Sequence, residues 1–191
     1  MANTFTQVHL QFVFAVQNRI SLIQKEWETE LYKYITTIVQ NNQHKLLAIN
    51  GIPDHLHLLI GMRPTESISH LMQEVKADSS TWINKNKFTK GKFHWQEGYG
   101  AFSYCKSHLP EVIKYIQNQE LHHKWQSFSD EYKELLNKFE IVYDERYIFQ
   151  EKVYYSIKQF LNRSILTAKG LDINSLYRQC KRKIGITRIG T

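Results

Sequence analysis

The stretch KLLAINGIPDHLHLLIG, residues 45–61, sets two short apolar runs on either side of Gly51, Ile52, Pro53 and Asp54. Runs of this length bounded by Gly, Pro and Asp read as two strands of a hairpin, 45–50 and 55–61. Side chains alternate across a strand, so His55 and His57 leave one face together while Leu56 and Leu58 point to the other. Upstream, Val8, Leu10, Phe12, Phe14 and Val16 are apolar while Gln7, His9 and Gln11 are polar. That period of two marks a half-buried strand. Between the two regions Trp27, Leu31, Tyr34, Ile35 and Ile38 recur at steps of three and four, the spacing of a helix over 24–42.

Downstream, Ser67 is a candidate N-cap for a second helix, with Ile68, Leu71, Met72 and Val75 as its buried stripe. A Lys-rich loop, a β-type segment at 100–105, a helix over 111–123 preceded by Pro110, and another over 130–138 complete the pattern. The order β-α-β-β-α-β followed by helices predicts an α+β, ferredoxin-like (RRM-like) split βαβ antiparallel sheet. Helices are expected on one face, leaving the other to hold a site, with additional C-terminal helices beyond. Residues 1–150 are expected to form one domain. Residues 151–191 read as a basic extension of unassigned role, with a helical stripe of Ile157, Leu161 and Ile165, a break at Gly170 and a second helix over 174–183.

Net charge is +7, but residues 1–150 hold 16 Lys/Arg against 16 Asp/Glu, so the whole excess belongs to the extension. A basic tail of this kind lends only general support to a nucleic-acid partner. No stretch approaches the roughly 20 apolar residues of a membrane helix, and Cys105 and Cys180 form no C-x-x-C pair. A cytoplasmic protein with no membrane partner is the expectation.

The histidine pair is weak by itself: nine histidines in 191 residues would produce about 0.4 such spacings by chance, and packing histidines need no metal. Tyr115 and Gln119, four apart on the helix expected over 111–123, share one face. A phenol and an amide so placed are also common on amphipathic helices. The loop 84–95 mixes Lys85, Lys87, Lys90 and Lys92 with Phe88, Phe93, His94 and Trp95. Cations for phosphates and rings for bases suit a single strand, although such aromatics equally anchor a loop to a core. Arg19 and Lys45, near strand ends, are further cationic candidates.

The segment 54–60 (DHLHLLI), the segment 98–103 (GYGAFS) and the run 115–119 (YIQNQ) followed by His122 and His123 resemble the single-tyrosine HUH transposases of the smallest bacterial insertion sequences, the insertion sequence 200/605 group. The resemblance covers residues 5 to about 150. It implies a ferredoxin-like domain that binds hairpins at transposon ends as single-stranded DNA and works as a homodimer, in which the tyrosine helix of one subunit can complete the histidine site of the other. Residue by residue, it implies that His55, His57 and Gln119 hold a divalent metal, Mg²⁺ or Mn²⁺, and that Tyr115 is the nucleophile. His122 and His123 match a recurrent pattern of the group without an implied role. Two other readings stay open: a domesticated hairpin-nicking relative or a relaxase or initiator with the same chemistry, and a non-catalytic RNA-binding ferredoxin-like module.

Overall fold

The structure, a computed structural model, describes residues 5–148 of the 191. Strand β1 (Val8–Ala15) leads through a short 3-10 turn into helix α1 (Lys25–Asn41). The hairpin β2 (Lys45–Ile52) and β3 (His55–Met62) follows, then helix α2 (Ile68–Lys85) and strand β4 (Gly100–Tyr104). Helices α3 (Leu109–Gln117), α4 (Gln119–His122), α5 (Phe128–Lys138) and the single turn α6 (Glu145–Ile148) complete the described chain. The four strands form one antiparallel sheet in the order β2-β3-β1-β4. This is the arrangement that the alternation of strands and helices predicts.

The chain divides into two compact units, Met1–Tyr143 and Asp144–Thr191. Only Asp144–Ile148 of the second is described, and the helices expected over 151–191 lie outside the described residues. Among the described residues no helix is long and apolar enough to cross a membrane.

The strand pattern works as expected on one face. Leu10, Phe12 and Phe14 from β1 and Leu56, Leu58 and Ile60 from β3 pack with Leu31 and Ile35 of α1 and Leu71 and Val75 of α2 in the main core. Ser67 caps α2 by accepting from the His70 amide at 3.2 Å, satisfying one of the donors that every helix start leaves open. The second face is covered as well. Val112 and Ile116 of α3 pack there on Ala48 and Leu59, with Leu109, Ile113 and Tyr115 alongside. The added C-terminal helices thus roof the histidine face, and a side chain on the polar side of β1 or β3 is buried among polar partners rather than wetted.

The hairpin turn is tighter than the expected 51–54. β2 continues to Ile52, which pairs with His55, so only Pro53 and Asp54 turn the chain. Gly51 makes this possible: a Cβ there would lie 2.2 Å from the His55 carbonyl oxygen. With no side chain, Gly51 lets the strands close right up to the first histidine.

The aromatics of the Lys-rich loop anchor it to the main core. Phe88 stacks on Trp27 at 5.1 Å between ring centroids. Trp95 is buried, meets Phe14 and Phe93 edge to face, and donates its indole N–H to Ser79 Oγ at 2.9 Å.

Candidate metal centre

His55 and His57 lie on central strand β3, facing the second side of the sheet, and both are fully buried. The helix expected over 111–123 breaks at Asn118, whose φ of −99° and ψ of 19° end α3 and start α4. The break leaves Tyr115 on α3 and Gln119 on α4, yet both still point to the histidine face. Tyr115 meets His57 edge to face, with ring centroids 5.8 Å apart, and Gln119 is fully buried. All four side chains come together within a single chain.

Two further residues enter the same place. His123 follows Gln119 by four and brings its Nε2 to 3.1 Å from His55 Nε2. Ser127 caps α5 by accepting from the Asp130 amide at 3.2 Å, and the first turn of that helix lowers Glu131 into the middle. Glu131 Oε2 stands 3.4 Å from His55 Nε2, 3.4 Å from His57 Nε2 and 3.1 Å from His123 Nε2. Its other oxygen, Oε1, accepts from Gln119 Nε2 at 3.0 Å and from the Tyr115 hydroxyl. Phe128, one turn earlier, stacks on the His55 ring at 3.9 Å and closes the site from the side. Tyr115, His122 and Glu131 form one wall of a cleft of about 670 Å³ that runs past Tyr104, Cys105 and Lys138.

Outer partners orient the rings. His55 Nδ1 is 2.8 Å from Asp54 Oδ1, His123 Nδ1 is 2.9 Å from the Gln126 carbonyl, and His57 Nδ1 is 3.0 Å from the Gln11 amide. Every Nε2 is thereby turned inward, the way imidazoles are braced around a metal. Burial presses the His55 pKa down, but the Asp54 and Glu131 carboxylates outweigh it and leave it raised. In His57 burial wins and the pKa falls to about 4. For Glu131, burial alone would favour the neutral acid, while hydrogen bonds from His123, His55 and His57 hold it far below the usual carboxylate range. Burial first, and then the Glu131 charge, push Tyr115 well above the ordinary phenol value. The cluster therefore holds a carboxylate anion and a neutral phenol, with His55 as the imidazole that favours a proton.

These residues fit a divalent cation. His57 Nε2, Gln119 Oε1 and Glu131 Oε2 are buried without a hydrogen-bond partner, and buried polar atoms are rarely left so unless something else satisfies them. The ligand atoms of His55, His57, His123 and Glu131 all lie within 4.8 Å of one another.

The cationic candidates stand apart from this cluster. Lys85, Lys87, Lys90 and Lys92 are exposed around the end of α2, and Lys45 is exposed at the start of β2. Arg19 is half-buried in the 3-10 turn after β1, at a positive φ of 52°. Trp95 is corrected from a base-stacking ring to a core residue, because Phe14, Phe93 and Ser79 occupy it. The sequence reading missed Glu131, Asp54 and Gln11, and gave His123 no role. His123 could have been found, since Tyr115, Gln119 and His123 continue one four-residue stagger. Nothing in the sequence distinguishes Glu131 from Asp130 or Glu134 on the same helix.

Comparison with solved structures supports the fold. A candidate transposase from Deinococcus radiodurans R1 superposes with a TM-score of 0.51 and 21% identity, over 62% of this chain and 95% of that one. The REP-associated tyrosine transposase bound to a REP hairpin superposes with a TM-score of 0.51 and 16% identity, over 66% of this chain and 74% of the other. No curated protein matches the chain. The family model described as Transposase IS200 like matches residues 4–119, which include His55, His57, Tyr115 and Gln119. With well over half of its 191 residues matched, this chain belongs to the IS200-like transposase family.

Proposed function

We propose that this transposase cuts and rejoins single-stranded DNA at hairpin-bearing transposon ends, with Tyr115 as nucleophile and His55, His57 and Gln119 around a divalent ion, Mg²⁺ or Mn²⁺. The observation that carries the reading is the contact of the Tyr115 ring with His57, against a buried cluster of inward-facing ligand atoms. A hydroxyl nucleophile needs to stand beside the group that activates its target. The ion supplies, when bound, polarisation and orientation of the scissile phosphate.

The Tyr115 oxygen forms a bond to phosphorus as the bond to the 3′ oxygen breaks. The phenol loses its proton and the departing 3′ oxygen gains one, giving a 5′-phosphotyrosine and a free 3′-hydroxyl. A second 3′-hydroxyl then attacks the phosphotyrosine, restores the phenol and joins new ends. Bond count is conserved in both steps, so no ATP is required. Glu131 orients the Tyr115 hydroxyl by accepting its hydrogen bond, which limits the rotamers the phenol can explore. Roofing of the histidine face by α3, with Phe128 beside His55, keeps bulk water from the imidazoles.

Single strands would be gripped through Lys85, Lys87, Lys90 and Lys92, with Arg19 and Lys45 as outlying contacts. A homodimer remains part of the proposal, although one chain already unites Tyr115 with the histidines. Residues 1–150 are proposed as the catalytic domain and 151–191 as an extension to it. The test is incubation with labelled single-stranded hairpin DNA and Mn²⁺, followed by mass mapping of any covalent peptide. An adduct on Tyr115 that Tyr115→Phe abolishes is expected, and an adduct on any other residue would remove Tyr115 from its role.

A further inference from the structure

The resemblance to the insertion-sequence transposases supplies two histidines and a glutamine, yet five side chains meet here, and two of them, His123 and Glu131, lie beyond residues 4–119 that the family model matches. Their geometry is specific. Asp54 Oδ1 and the Gln126 carbonyl can only accept, so the Nδ1 atoms of His55 and His123 carry the ring protons in the neutral imidazoles. Both Nε2 atoms then present lone pairs to each other at 3.1 Å, with the Glu131 carboxylate oxygen 3.4 Å from one and 3.1 Å from the other. Lone pairs and an anion repel at this range unless a cation lies among them.

The separations also have the length that an ion would impose. Two ligands each about 2.1 Å from one ion stand about 3.0 Å apart in octahedral and about 3.4 Å apart in tetrahedral geometry. The four separations recorded here, three to Glu131 Oε2 and one between imidazoles, run from 3.1 to 3.4 Å. Gln119 behaves differently: its amide nitrogen is spent on Glu131 Oε1 at 3.0 Å.

We infer that His123 and Glu131 are ligands of the same ion as His55 and His57, so that the chain offers three imidazoles and one carboxylate, with Gln119 a positioning residue that holds the carboxylate. The inference deepens the metal-dependent reading above and rests on it. Three nitrogen donors suit a first-row transition ion such as Mn²⁺ and suit Mg²⁺ poorly, since Mg²⁺ favours oxygen ligands and retained water. Four protein donors leave an ion of six coordination two positions for phosphate oxygens. Glu131 joins the two halves of the chemistry, because Oε2 faces the imidazoles while Oε1 takes the Tyr115 hydroxyl.

The test uses the full chain, stripped of metal by a chelator and titrated with Mn²⁺ without DNA. Pulsed electron paramagnetic resonance of the bound Mn²⁺ counts the coordinated imidazole nitrogens in the unaltered protein, so it needs no variant to fold. Three are expected; two, or no bound Mn²⁺, would overturn the assignment. Mn²⁺ affinity should fall at least about tenfold in His123→Ala and in Glu131→Gln, and less than about tenfold in Gln119→Ala, the range separating a lost ligand from a lost support. About a hundredfold excess of Mg²⁺ should not displace the ion. If Gln119→Ala loses Mn²⁺ while the other two variants keep it, the ligand set is the histidine pair with glutamine and the inference fails. The DNA adduct assay reads separately: three coordinated imidazoles without an adduct would remove the nuclease reading alone, whereas an adduct with only two imidazoles would remove this one alone.

Discussion

The side-chain amide of Gln11 lies 3.0 Å from Nδ1 of His57, and both residues are fully buried on one face of paired strands β1 and β3. Gln11 Oε1 has no partner, and amide oxygen and nitrogen can be exchanged by a half-turn of the group. With the oxygen toward His57, Nδ1–H donates to it, the lone atom is satisfied, and Nε2 is left to face the cluster as a lone pair. Gln11→Met should therefore cost roughly 1–3 kcal/mol of stability for the unpaired imidazole and about 10–100-fold in Mn²⁺ affinity. Denaturant melts and Mn²⁺ titrations check this, and unchanged affinity would dismiss Gln11 as a support for the site.

Acid should weaken metal capture. The raised pKa of His55 means that a proton competes for this imidazole from a higher pH than for an ordinary histidine, whereas His57, at about 4, offers no competition near neutrality. Below the His55 value, affinity should drop about tenfold per pH unit for the proton displaced. Mn²⁺ titrations across neutral to mildly acidic buffers give the slope, and a flat profile contradicts the prediction.

Tyr115 predicts an alkaline effect of opposite origin. Burial and the Glu131 charge raise its pKa, so its folded form stays neutral where an unfolded tyrosine, with a pKa of about 10, ionises. The stability from its bond to Glu131 is fully present below about pH 10 and is lost as pH rises beyond it. In metal-free protein, the stability gap between the native chain and Tyr115→Phe should narrow above that pH. Melting curves of both proteins provide the comparison.

Much of this fold was legible in sequence because it depends on short-range periods. The alternation at 8–16 and 55–61 fixes which side chains share a face, and the histidine pair follows from that parity alone. Tyr115 and Gln119 follow from helical stagger, which survives the break at Asn118 because the backbone departs from helix for only one residue. Glu131 was not legible. Its role depends on His55, His57 and His123 arriving from distant segments, and no local period encodes that meeting. Trp95 was misread because its partners Phe14 and Ser79 come from elsewhere in the chain.

Gly51→Ala tests how the hairpin seats the first histidine. The added methyl would lie 2.2 Å from the His55 carbonyl oxygen and 2.7 Å from Leu56 Cδ2. Strands must separate to admit it, at a cost of about 1–3 kcal/mol. Thermal melting should show the loss, and an unchanged melting temperature would show that the turn can relax freely.

Replacing Lys85, Lys87, Lys90 and Lys92 together with Gln should weaken binding to single strands of any sequence. If each lysine meets one phosphate, the slope of log affinity against log salt should flatten by about 0.7 per residue removed. Fluorescence anisotropy over a salt series measures it, and an unaltered slope would place the DNA path elsewhere.

The cluster takes its members from opposite ends of the described chain, since β3 is complete at Met62 while Glu131 belongs to α5. A ribosome releases them in that order. The sheet can pair while the nascent chain still lacks its last donor, so a product cut short before Ser127 would retain the strands and Tyr115 without the carboxylate that joins them. Capability to break DNA is thereby deferred until synthesis has passed the final piece, and premature termination yields an unarmed protein.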